Sequence, residues 1–305
     1  MAKRDFLSID DLESDVLTKL LDSADDAKKK PESVSTALDG RQVALIFEKP
    51  STRTRVSFEV AVESMGGHAV VLRSDELQLG RGETIEDTGR VLSRYVDAIV
   101  VRTFEHDRLV RLAAASSIPV VNSLSDYSHP CQALADYQTI REQKGKFEGR
   151  SLGYIGDGNN VAHSLMFGGA KLGMNVRVAT PSGHEPQPSV TERCERIAAG
   201  SGGSVTVTNV VAEAAAGADV LYTDVWASMG QESEAEGRRN LFANYSIGPD
   251  ELDLAADDVI VMHCLPAHRG EEIAADVMDG PHSVVWDQAE NRLHAQKALL
   301  VWLLS

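Results

Sequence analysis

Phe47-Glu48-Lys49-Pro50-Ser51-Thr52-Arg53-Thr54-Arg55 is the stretch on which the fold turns. Just before Pro50, Val43-Ala44-Leu45-Ile46-Phe47 reads as a strand, and proline, which cannot donate to a ladder, stops it. Just after the stretch, Phe58, Ala61, Val62 and Met65 fall on one helical stripe that Gly66-Gly67 ends. Ser51, Thr52, Arg53, Thr54 and Arg55 therefore occupy a strand-to-helix turn. Free N–H groups at a helix start, with the positive end of the helix dipole, favour an anion such as phosphate. Arginine adds a forked, permanently charged donor that matches phosphate oxygens. On this stretch alone a capped helix with solvated arginines remains the plainer alternative.

Outward from the turn the same alternation repeats. Toward the N-terminus, Ser8 to Ala27 reads as a helix carrying Leu12, Val16, Leu20 and Leu21. Toward the C-terminus come a short strand at Val70-Val71-Leu72, an aperiodic loop from Arg73 to Thr84, and a helix from Ile85 to Tyr95. Strand Ala98 to Val101 ends in Arg102, and strand Pro119 to Asn122 leads through Ser128-His129-Pro130-Cys131-Gln132 into a helix reaching about Lys144. Gly145 to Gly149 is short, polar and bounded by glycine, a natural joint between domains spanning 1–145 and 146–287. Beyond it strands at Ser151–Ile155, Val176–Ala179, Val205–Val207, Asp219–Tyr222 and Val259–Met262 alternate with helices, Gln231 to Arg239 reads as a charged loop, and a helix from about 288 closes the chain. This pattern predicts an α/β protein of two domains, each a parallel sheet flanked by helices.

Composition narrows the class. The chain has 305 residues, 43% hydrophobic and 25% charged. No apolar run approaches the roughly 20 residues needed to cross a bilayer, and Met1 to Asp15 is too polar for a secretory signal, so a cytoplasmic location is expected. A net charge of −16 argues against nucleic acid or an anionic membrane as partner. The same acidity, with arginine favoured over lysine, raises the expectation of a salt-adapted, halophilic protein. Cys131, Cys194 and Cys264 form no C-x-x-C pair, which speaks against a disulfide framework or zinc ribbon.

Polar residues gather where strands end: Ser51 to Arg55, Arg102, His129 with Gln132, Asn159 with Asn160, Asp224 with Ser228, and His263 with Cys264. Ligands of open α/β sheets bind at the carboxyl ends of strands, and two facing sheets would place both sets around one cleft. Gly156-Asp157-Gly158 invites a dinucleotide reading, but Val161 stands where a third small residue is needed and no acid closes the next strand. No spacing calls for a metal, and no nucleotide phosphate loop is present. Cys264 reads equally as a buried small apolar group or as a functional thiol.

Taken together, Ser51-Thr52-Arg53-Thr54-Arg55, His129-Pro130-x-Gln132, Asp224-x-x-x-Ser228-Met229-Gly230 and His263-Cys264-Leu265-Pro266 resemble the motifs of the aspartate/ornithine transcarbamylase family, in the same order along nearly the whole chain. The resemblance implies a carbamoyl phosphate domain first, an ornithine domain second, interdomain helices, and a final helix, 288–305, returning to the first domain. It implies that Ser51, Thr52, Arg53 and Thr54 hold the phosphate. Arg102, His129 and Gln132 meet the carbamoyl group and its bridging oxygen, and Gln78 reaches into a neighbouring subunit of a homotrimer or larger assembly. Asn160, Asp224, Ser228 and Met229 hold L-ornithine. Cys264 and Leu265 lie beside the reacting amine, touching carbamoyl phosphate as well, and Arg292 completes the site. A cis Leu265–Pro266 peptide is implied too. The resemblance departs from the family at Gly82, where lysine or asparagine is common, leaving Arg81 as the substitute.

The implied reaction is carbamoyl transfer to the side-chain amine of ornithine, giving citrulline and phosphate without a cofactor, in biosynthesis or, reversed, in catabolism of arginine. The catalytic candidates are Thr54, Arg102 and His129, as donors to the developing oxyanion, and Cys264, as base or thiolate. Aspartate or putrescine as acceptor, a dehydrogenase, and a non-catalytic phosphate-binding protein are the rivals. Asp224-Val-Trp-Ala-Ser-Met-Gly230 offers an acid to an ammonium group, which favours ornithine.

Overall fold

The computed structural model of the chain describes residues 3–73, 82–227 and 235–305. The chain divides into two compact units: Met1–Gln138 with Glu290–Ser305, and Thr139–Ala289. In the first unit the elements run α1 (Ser14–Lys29), β1 (Gln42–Phe47), α2 (Thr52–Glu63), β2 (His68–Arg73), α3 (Ile85–Leu92), β3 (Ala98–Arg102), α4 (His106–Ala115), β4 (Val120–Leu124) and the start of α5 (Pro130–Lys144). In the second they run β5 (Ser151–Ile155), α6 (Asn160–Lys171), β6 (Asn175–Ala179), α7 (Pro188–Ser201), β7 (Ser204–Thr208), α8 (Val211–Ala215), β8 (Val220–Thr223), α9 (Ala235–Phe242), α10 (Pro249–Leu254), β9 (Ile260–His263), α11 (Ala275–Met278) and the start of α12 (Val285–Leu304). Among the described residues no helix is long and apolar enough to cross a membrane.

Both sheets are parallel and flanked by helices, an α/β fold. The first sheet has the order β2-β1-β3-β4, the second β7-β6-β5-β8-β9. The central strands β1 and β3 are almost wholly buried apolar residues, as a sheet covered on both faces demands. Chain order reverses between β1 and β3 in the first sheet and between β5 and β8 in the second. At such a switch point the loops leaving the two strands diverge to opposite faces and open a crevice at their carboxyl ends.

Several elements differ from the sequence expectation; α3, expected to reach Tyr95, ends at Leu92. Ser8 caps a separate 3₁₀ turn, Ile9–Asp11, so the helix expected from Ser8 starts at Ser14; Leu12 is buried but outside it. Part of the expected loop 231–239 is helical, because α9 opens at Ala235 and buries Arg238 and Phe242. The last helix begins at Val285, one turn earlier than periodicity suggests.

Candidate active site

In the first unit the candidate residues occupy the ends of β1 and β3 and the helices beside them. Pro50 ends β1, and Ser51 caps α2 by accepting from the Thr54 backbone N–H at 3.3 Å. Thr52 and Arg53 are exposed on the first turn of α2, while Thr54 is buried. The Glu48 N–H donates to Arg102 C=O at 2.9 Å. The Glu48 carboxylate accepts from Thr103 Oγ1 and, at 2.7 Å, from Arg108 Nη2. Lys49 lies 4.1 Å from the Phe104 ring centre. The chain leaving β1 is thus tied to the chain leaving β3, and Arg102 is held beside the Ser51–Arg55 turn.

Thr54, Gln132 and Arg292 form one buried cluster. Arg292 Nη2 donates to Thr54 Oγ1 at 3.2 Å, and Nη1 donates to Gln132 Oε1 at 2.8 Å. With the Gln296 amide oriented so that both its ends are satisfied, its oxygen accepts from Arg292 Nε at 3.2 Å and its nitrogen donates to Ser57 Oγ at 2.7 Å. His129 opens α5 with little exposure. Burial first, then the charges of Arg292, Arg102 and Arg53, hold its imidazole well below the ordinary histidine range. The ring is therefore neutral at physiological pH and can offer a single N–H without adding a fourth positive charge.

In the second unit Asp224 follows β8 and is nearly buried. Its Oδ1 accepts from Val225 N–H at 2.8 Å and from the Cys264 thiol at 2.9 Å, and its Oδ2 accepts from Asn159 Nδ2 at 2.9 Å. Asn159 also caps α6, its Oδ1 accepting from Val161 N–H at 2.9 Å. Gly158 permits this close turn, since a Cβ there would stand 2.3 Å from the Pro186 nitrogen. Asn160 is the first residue of α6 and half-buried. Below the carboxylate, Gln288 Oε1 accepts from His263 N–H at 2.9 Å, and its Nε2 donates to Tyr222 Oη at 3.1 Å. Gln288 thereby joins the ends of β8 and β9, the strands that deliver Asp224 and Cys264.

His263 is a support and is fully engaged. Its Nδ1 accepts from Leu265 N–H at 2.8 Å, and its Nε2 faces Glu272 Oε1 at 3.1 Å. Burial pushes the Glu272 carboxyl up, but hydrogen bonds from His263 and from the His268 N–H outweigh it and hold the group below its ordinary range. The Leu265–Pro266 peptide is cis and Leu265 has φ 59°. Asp157 pairs with Arg238 of α9; burial pushes its carboxyl up despite that partner.

The structure therefore joins Thr54, Gln132 and Arg292 by hydrogen bonds, places Arg102 and His129 in the same electrostatic neighbourhood, and joins Asp224 to Cys264. Gln78, Arg81, Ser228 and Met229 lie outside the described residues. No local pattern marks the roles of the supports Glu48, Glu272, Gln288 and Gln296 in the sequence. Asn159 does stand out in it, as an Asn at a strand-to-helix turn just after a glycine, but its hold on Asp224 is visible only in the fold.

Comparison with known proteins follows the same division. The carbamoyl-P binding domain of the aspartate/ornithine carbamoyltransferases matches residues 4–142, and their Asp/Orn binding domain matches residues 148–303. An ornithine carbamoyltransferase of Parafrankia is 59% identical over 307 residues, covering 100% of this chain and 97% of that protein. The anabolic ornithine carbamoyltransferase of Pyrococcus furiosus is 54% identical over 306 residues, covering 100% of this chain and 97% of that protein. The solved structure of the Pyrococcus furiosus ornithine carbamoyltransferase superposes with a TM-score of 0.95 at 55% identity, covering 98% of this chain and 96% of that one. A solved N-acetyl-L-ornithine transcarbamylase is more distant, with 31% identity, a TM-score of 0.89, and 98% and 99% coverage. Sequence, order of motifs and fold agree, and the chain belongs to the aspartate/ornithine carbamoyltransferase family.

Proposed function

We propose that this chain is an ornithine carbamoyltransferase, moving the carbamoyl group of carbamoyl phosphate to the side-chain amine of L-ornithine and giving L-citrulline and phosphate. The observation that carries the choice of acceptor is the Asp224 carboxylate, fixed on both oxygens by Asn159, Val225 N–H and Cys264. A fixed anion suits the α-ammonium of an amino acid. Aspartate as acceptor would call for cations to meet its second carboxylate. Asn160, Ser228 and Met229 complete the ornithine set in this reading.

Ser51, Thr52, Arg53 and Thr54 hold the phosphate, with Gln78 as a further contact from a neighbouring subunit. Arg102, His129 and Gln132 meet the carbamoyl group, and Thr54, Arg102 and His129 donate to its oxygen as charge develops there. Losing one such pre-aimed donor typically costs about 3 kcal/mol of barrier. The lowered basicity of His129 suits this role, since the neutral ring donates without needing protonation. The amine attacks as –NH2, the C–O bond to phosphate breaks, and the amine's surplus proton leaves on the phosphate, so charge and atoms balance. The Cys264 thiol donates to Asp224, so its hydrogen is already engaged by that carboxylate. We therefore assign Cys264 and Leu265 to orienting the reacting groups rather than to proton abstraction.

Assembly into a homotrimer or multiples of it is part of the same reading. Val56 and Val60 stand 52% and 45% exposed on α2, beside the edge strand β2 whose Ala69 to Leu72 are only half-buried. The division into domains 1–145 with 288–305 and 146–287, a cytoplasmic location and adaptation to salt complete the proposal. The deciding experiment is a colorimetric citrulline assay offering ornithine, aspartate or putrescine as acceptor at low and high salt, with each carbamoylated product also followed by mass spectrometry. Product from ornithine alone is expected; product from aspartate or putrescine would overturn the choice of acceptor.

A further inference from the structure

Within the first unit the side-chain amide of Gln132 is held at both ends. Its Nε2 donates to Asp136 Oδ1 at 2.8 Å, one turn along α5, and its Oε1 accepts from Arg292 Nη1 at 2.8 Å. Gln132 is 2% exposed and Asp136 0%. A carboxylate only accepts and a guanidinium only donates, so the two ends of the amide cannot be exchanged without breaking both bonds. Asp136 belongs to none of the motif residues assigned to substrate.

We infer that Asp136 is a specificity-determining positioning residue: by accepting an amide hydrogen of Gln132 it makes that residue present an oxygen, and so selects a carbamoyl –NH2 over an acetyl –CH3. The inference rests on the carbamoyl transfer proposed above. Arg292 supports the same orientation, but its donors are among those an acyl phosphate draws on when it binds. Asp136 has no such competing duty, because its negative charge repels the substrate phosphate. A carbonyl oxygen has two lone pairs; Arg292 takes one and a carbamoyl N–H takes the other. Acetyl phosphate has the same shape and leaves that buried acceptor unpaired, which is how a polar site rejects an analogue lacking a hydrogen-bonding group.

The test uses acetyl phosphate as a competitive inhibitor against carbamoyl phosphate in the citrulline assay, with the full-length protein and its Asp136→Asn and Asp136→Leu variants. The quantity read is the Ki for acetyl phosphate divided by the KM for carbamoyl phosphate. Asparagine keeps the shape but offers a donor as well as an acceptor, so the Gln132 amide can turn; leucine removes the acceptor. The unaltered protein is expected to give a ratio well above one. The ratio is expected to fall about tenfold in either variant, through a raised KM more than a lowered kcat. A ratio unchanged in the variants despite lower activity would mark Asp136 as merely structural and overturn the inference, as would a ratio near one in the unaltered protein. An unaltered protein that makes no citrulline would instead overturn the proposed function, so the two failures are separable.

Discussion

At the scale of single residues the second unit is governed by one carboxylate. Asp224 is nearly buried and accepts from three donors, so removing its charge while keeping its shape isolates its electrostatic role. Asp224→Asn is expected to raise the KM for ornithine on the order of a hundredfold, about 3 kcal/mol, and to leave the KM for carbamoyl phosphate nearly unchanged. Steady-state kinetics in each substrate check this. The three cysteines should separate cleanly as well. Burial pushes the Cys131 thiol up to about 12, Cys194 is also buried, and Cys264 is partly exposed. Iodoacetamide is expected to label Cys264 first, with activity lost in step and protected by ornithine; peptide mapping identifies the site. Candidate residues of this kind were legible because they sit in compact motifs. Their supports were not. Gln288 reaches Tyr222, 66 positions away in the chain, and no local pattern encodes that bond.

At the scale of elements, α2 does two tasks with one turn. Ser51 caps the helix through the Thr54 N–H, and the same turn offers N–H groups to an anion. Ser51→Ala is expected to cost about 1 kcal/mol of stability and to raise the KM for carbamoyl phosphate, both effects appearing in one variant; thermal melts and kinetics read them separately. This helix was legible because Pro50, the serine cap and the apolar stripe all agree. Elsewhere local signals conflicted. Ile9 and Leu12 continue the helical spacing of α1, yet Ser8 and Asp11 close a reciprocal cap that turns the chain into a separate 3₁₀ turn. In α9 a charge-rich stretch hides a buried face, because Arg238 reads as solvated but is held by Asp157 and packs 5.0 Å from the Phe242 ring centre. Alternation of strands and helices, set by buried runs of β-branched residues, survived these conflicts and was enough to fix the α/β class.

At the scale of the whole molecule, two charge effects should be visible. His106, His129 and His294 are each held below the ordinary value of 6.5, with burial the largest cause. The unfolded chain gains protons as pH falls through that value while the folded chain does not, so stability present above it is lost below it. The Tm is expected to hold down to about pH 6.5 and then decline toward about pH 5, with a shallower decline in His129→Gln. Asp11 and Asp157, pushed up mainly by burial, act in the opposite sense. The net charge of −16 predicts that added KCl raises the Tm through screening; highest stability in dilute buffer would count against salt adaptation. The reversal of strand order in each sheet has a practical corollary. Because the candidate residues Asn160 and Asp224 hang from chain just beyond β5 and β8, while the strands themselves are filled largely with apolar side chains, this part of the candidate site is set apart from most of the interior. A designer seeking a new acceptor could rewrite the turns after β5 and β8 and leave most interior contacts of the sheet as they stand.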